Sequence, residues 1–109
     1  MELVTFPDIA ECLGLPVNRV HQLVRDGLLV AVSNADGVRC VPAEFVQEGA
    51  VVKGLSGVVH LLRDAHFDDG EIVDWLFRAD DTLPGGSPVE ALRANHSTEV
   101  KRRAQVAGY

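Results

Sequence analysis

The apolar positions at the start of the chain recur with a helical period. Ile9 and Leu13 are four apart and share one helix face. Pro7 suits a first helical position, and Asp8 and Glu11 sit near the positive end of the dipole, so a short helix is predicted over Phe6–Leu13. Gly14 breaks it, and Pro16 opens a second predicted helix, Pro16–Arg25. There Val17, Val20 and Val24 fall at i, i+3 and i+7 with Leu23 beside them, an expected core stripe. Asn18, Arg19, His21, Gln22 and Arg25 take the other side, and Asp26-Gly27 ends the helix. The pattern then changes to β-branched runs, Leu28–Val32 and Val38–Val41, joined by the turn cluster Ser33-Asn34-Ala35-Asp36-Gly37. A small β-hairpin is expected, stopped by Pro42 and followed by one or two helical turns over Ala43–Gln47.

Further along, Glu48 to Gly54 marks a weak boundary between an N-terminal unit, residues 1–50, and a C-terminal helical region, residues 51–109. Ser56–His66 is strongly amphipathic through Val58, Val59, Leu61 and Leu62. Asp68 and Glu71 have capping-box spacing before a helix that runs to about Arg78. Asp80–Ser87 reads as a loop. Ser87 caps Pro88–Leu92, and Ser97 or Thr98 is expected to cap a last helix through Val106. Trp75 is expected to anchor the core.

Composition narrows the chemistry. The chain has 109 residues, 47 % of them hydrophobic and 24 % charged, which is the balance of a globular domain. No apolar run approaches a membrane span and the first residues carry no signal-peptide pattern, so the expected setting is the cytoplasm. Cys12 and Cys40 lack paired-ligand spacing and are expected to be small core residues. The pairs Asp68-Asp69 and Asp80-Asp81 are explained by capping and a solvated loop. No metal site and no cofactor are expected. The phosphate-loop lysine and the nucleophile-elbow pattern are both missing, so no enzyme is expected. Net charge is −6, and residues 1–50 carry three arginines against seven acids. Neither fact invites nucleic acid by long-range attraction.

Helix, glycine turn, helix and hairpin is nevertheless the layout of a winged helix-turn-helix. The stretch Val20 to Leu29, with its Arg25-Asp26-Gly27-Leu28 corner, and Arg39 to Phe45 resemble the MerR and excisionase DNA-binding family. Residues 54–109 resemble the C-terminal region of a small actinobacterial family of winged-helix DNA-binding proteins, best known from mycobacteria. The matching residues are Leu55-Ser56-Gly57, Leu62-Arg63-Asp64, Asp69-Gly70-Glu71-Ile72, Trp75-Leu76-Phe77, Pro88 to Arg93, and Val100 to Gln105 near Tyr109. The expected architecture is mainly α: a winged helix-turn-helix with a small β-hairpin wing and a helical C-terminal extension packed as one unit.

The implied function is non-enzymatic binding of double-stranded DNA, by a transcriptional regulator or a nucleoid-associated factor. Asn18, Arg19, His21, Gln22 and Arg25 would enter the major groove, and Arg39 on the wing would meet the backbone. Lys101, Arg102 and Arg103 are further candidate backbone contacts, or they satisfy the negative end of their own helix. A homodimer or a protein partner held through the C-terminal helices is the other expected interaction. The same polar residues also fit an ordinary solvated helix face. The alternative is therefore a protein-interaction module on this scaffold. A short likeness of Trp75-Leu76 and Gly86–Leu92 to the toxin-contacting domain of certain antitoxins points that way.

Overall fold

Residues 1–108 are described by the computed structural model, and Tyr109 lies outside them. The chain opens with β1 (Leu3–Thr5), α1 (Phe6–Leu13) and α2 (Val17–Arg25). Gly14, at φ +66°, directs its N–H to the carbonyls of Ala10 and Glu11, and the Leu15 N–H bonds Ala10 at 3.0 Å. This left-handed stop satisfies the last carbonyls of α1 and turns the chain sharply into α2. Ile9 and Ala10 of α1 and Val20 of α2 are buried. Val24 and Leu23 are half-buried, but Val17 is 43 % exposed, against the expected stripe. Val17 is the first residue of α2, one turn before the buried Val20, and it belongs to the exposed corner Gly14–Val17. Cys12 is also exposed, another correction, because it falls outside the Phe6, Ile9, Ala10, Leu13 stripe; Cys40 is buried as expected.

The wing is a three-stranded antiparallel sheet in the order β1-β3-β2, with β2 Val32–Ser33 and β3 Arg39–Pro42. Val4 pairs with Val41 and Val32 with Cys40. The hairpin is shorter than the apolar runs suggest. The N–H groups of Leu28 and Leu29 bond back to the Leu23 carbonyl and close α2, and Leu29, Val30 and Ala31 then descend into the core. Asn34 shapes the wing tip, its Oδ1 accepting from the N–H groups of Asp36 and Val38 at 2.9 and 3.0 Å. A 3₁₀ turn over Ala43–Phe45 leads to a second hairpin, β4 (Val46–Gln47) and β5 (Ala50–Val51), where only helix and a weak boundary were expected.

Helices follow: α3 (Leu55–Asp64), α4 (Asp69–Phe77), α5 (Pro88–Arg93) and α6 (Ser97–Gln105), with a 3₁₀ turn at Pro84–Gly86. Helix α3 ends two residues early because His66 takes φ +70° and Phe67 bonds back to Leu62. The Asp68–Glu71 capping box forms in both directions, at 2.8 and 3.0 Å, and Ser87 accepts from the Glu90 N–H. Helix α6 differs from expectation: His96 is its cap residue, with no side-chain bond. Ser97 is already helical and packs on Gly54, where a Cβ would come within 2.6 Å of its own. Trp75 is half-buried at a groove rim with Arg78, Leu83 and Pro88, rather than at the core's centre.

One buried cluster runs from Phe6 to Ala104 and draws on every helix. Phe45 meets Phe77 with ring centroids 5.8 Å apart. The Arg93 guanidinium of α5 donates to the carbonyls of Glu44 and Val46 at 2.8 and 3.1 Å, and Gln47 donates back to the Arg93 carbonyl at 3.2 Å. The molecule is thus a winged helix-turn-helix whose C-terminal helices complete the same core.

Candidate nucleic-acid interface

Helix α2 turns Val20 inward, so its 3.6-residue period sets Asn18, Gln22 and Arg25 on the opposite side. Arg19 and His21 flank that row. All of these are exposed except Gln22, which is half-buried. Arg19 donates to Gln22 Oε1 at 2.6 Å, so the two most versatile base-reading groups already share an orientation. His21 leans the other way, its ring edge-on to Phe6 with centroids 4.7 Å apart. The Arg39 guanidinium lies 6.0 Å from the centre of the same Phe6 ring. Phe6, given no role by the sequence pattern, therefore links the first residue of β3 to α2. Its signal was available: an aromatic residue directly before Pro7 at the mouth of a helix.

Arg39 is paired with Ser33 at the end of the β2-β3 ladder next to the turn, whose tip carries Asp36 and the 47 % exposed Val38. Behind Arg39 a cleft of about 360 Å³ is lined by Arg25, Asp26, Gly27, His60, Arg63 and Asp69 among others. His60 and Arg63 come from α3 and carried no role in the sequence reading. The structure thus links Arg19 to Gln22, His21 and Arg39 to Phe6, and Arg25 and Arg39 to one cleft.

The cationic run on α6 is held largely by ion pairs. Helix α6 packs on α3 and α5. Arg103 bonds Asp80 at 2.8 Å, Thr82 at 2.8 Å and Glu99 at 3.2 Å, and Arg102 bonds Glu99 at 2.8 Å. The Lys101 stem lies over Gly57. Asp80 is held below the ordinary carboxylate range, first by hydrogen bonds from the Thr82 hydroxyl and backbone and then by the Arg103 charge, against some desolvation. Among the described residues no group of three or more His, Cys, Asp or Glu is placed to hold a metal, and no helix is long and apolar enough to cross a membrane.

Comparison with known proteins gives this arrangement its context. Residues 1–46 match the family described as "DNA-binding protein Rv2175c, wHTH domain", and residues 52–108 match "Rv2175c C-terminal domain of unknown function". The chain belongs to the Rv2175c family. It is 41 % identical over 114 residues to the DNA-binding protein Rv2175c of Mycobacterium tuberculosis, an alignment spanning 94 % of this chain and 78 % of that protein. The solved NMR structure of Rv2175c superposes with a TM-score of 0.88 at 39 % identity, covering 99 % of this chain and 82 % of that one. The actinobacterial resemblance read from the sequence therefore holds over both units of the Rv2175c fold.

Proposed function

We propose that this chain is a non-enzymatic DNA-binding protein of the cytoplasm, acting as a transcriptional regulator or nucleoid-associated factor. The observation that carries this is the exposed polar face of α2 on a winged helix-turn-helix whose Rv2175c relative is named as a DNA-binding protein. Asn18, Arg19 and Gln22 are suited to base edges in the major groove. His21 flanks that contact, and Arg25 at the end of α2 and Arg39 beside the wing turn stand where backbone phosphate is met. Lys101, Arg102 and Arg103 are left off this surface because their helix packs on α3 and α5 and two of the three are paired with acids.

Few cations make the electrostatic part of binding small. Three phosphate contacts give a slope of about −2.7 in log K against log salt. One copy then binds weakly, and a second copy on an adjacent half-site is the natural way to raise affinity. The six acids among the residues of the N-terminal family match, against three arginines, favour a second reading as a protein-interaction module. Selection from random and genomic duplex pools at two salt concentrations separates them. Enrichment of a sequence with a salt slope near that value supports DNA binding, and no retained duplex at the lower salt overturns it.

A further inference from the structure

The C-terminal helices meet the N-terminal unit at the cleft beside the end of α2. Three of the chain's ten Lys and Arg residues meet there: Arg25 from α2, Arg39 from β3 and Arg63 from α3. In a chain of net charge −6, such a gathering needs a reason. The approach of α3 is close. Gly27, buried and at φ +77°, has His60 Nε2 only 2.9 Å from where a Cβ would stand, so glycine is what lets the imidazole reach this corner. One turn on, Arg63 pairs with Asp69 at 2.9 Å, while its Nε is shielded from solvent without a hydrogen-bond partner. The Arg63 side chain as a whole keeps 36 % of its surface in solvent, and its guanidinium has more N–H donors than the one bond to Asp69 uses.

Position decides what that acceptor is. The C-terminal end of α2 carries the negative pole of the helix and offers no free N–H, so a phosphate arriving there must be met by side-chain cations. The nine residues of α2 span about 13 Å, close to the roughly 12 Å width of the major groove. With Asn18 and Arg19 at the bases, the cleft stands at the flanking strand. We propose that α3 contributes Arg63 and His60 to a phosphate-binding cleft shared with Arg25 and Arg39, and that Asp69 is an internal counter-ion which a duplex phosphate displaces from Arg63. Asp26 is the second acid in the cleft and opposes binding.

This inference rests on the DNA-binding reading, and opposite signs in two variants test it. Duplex binding of the full chain is titrated between 50 and 200 mM salt with a selected site and with a scrambled one. Arg63→Gln weakens both duplexes by the same factor and flattens the salt slope by about 0.9, the share of one phosphate. Asp69→Asn tightens both, because the same ion pair is removed but the cation is freed. Arg63→Lys keeps most of the slope. Arg78→Gln makes the same charge change about 13 Å along α4 from Asp69 and leaves the slope unaltered. Arg63→Gln with a wild-type slope overturns the inference, as does parallel weakening by Arg63→Gln and Asp69→Asn, which marks the pair as structural. Wild-type protein that binds no duplex overturns the DNA reading instead.

Discussion

Arg39 owes its place to Phe6, because a guanidinium over an aromatic face is held by the ring quadrupole at about 0.5–1 kcal/mol when exposed. Phe6→Leu keeps most of the buried apolar volume and removes that anchor and the His21 contact. We expect an unfolding free energy, read from urea denaturation, lowered by about 1.5 kcal/mol or less, and scrambled-duplex affinity reduced about as far as in Arg39→Ala. Full affinity in Phe6→Leu would mean that Arg39 needs no positioning. On α6, Asp80 has a lowered pKa, so its ionised form is favoured on folding. Its contribution is complete above the unfolded value of 3.8 and disappears as pH falls through the lower folded value. Asp80→Asn should therefore lower the Tm at pH 7, with the gap to wild type closing below about pH 4. A gap that stays constant down to pH 2 would assign the loss to packing. Some residues were legible from type and spacing alone: the capping pair Asp68–Glu71 and the cap Ser87 formed as expected. Cys12 was not, since residue type says small and apolar while helix phase says solvent.

At the level of elements, local signals carried and long-range ones did not. Both helices of the N-terminal unit lie within a residue of their expected limits because glycine and proline punctuate them. Strand β1 was missed: three residues, Leu3–Thr5, become a strand only through pairing with Arg39–Pro42 far along the chain. The wing was overdrawn because Leu29, Val30 and Ala31 have strand-like composition but fill the core beneath α2. The polar row of α2 was readable from periodicity, whereas His60 and Arg63 come to it only through the packing of α3. For α2 as a reading element, Arg19→Ala and Arg39→Ala should part company. Arg19→Ala should lose about 1–3 kcal/mol of discrimination between a selected site and scrambled duplex. Arg39→Ala should weaken both alike and flatten the salt slope by about one unit. Competition binding measures both, and equal losses for Arg19→Ala on the two duplexes would leave only electrostatic docking by this helix.

Across the whole molecule the N-terminal unit shares its core with the C-terminal helices, although every residue of the candidate α2 face lies within it. Phe45 is fully buried, and it reaches Phe77 of α4. Val46 and Glu44 have carbonyls whose donor is Arg93 of α5. Removing the C-terminal helices would expose an apolar floor, with fewer than 50 residues left to supply a core, a size at which single cores are marginal. Arg93→Met tests the polar half of this seam in the intact chain. It keeps much of the stem's packing and leaves the Glu44 and Val46 carbonyls without their donor, which costs on the order of 1–3 kcal/mol. The single tryptophan, Trp75, reports on the C-terminal half, and Asn18 and Gln22 side-chain amide signals report on α2. If the core is shared, urea should collapse both probes at one midpoint in the wild type, and Arg93→Met should move both midpoints down together. A fragment of residues 1–46 should then show no cooperative transition and no duplex binding. A fragment that folds and binds with the affinity of the full chain would mean that the C-terminal helices support neither the fold nor the interface.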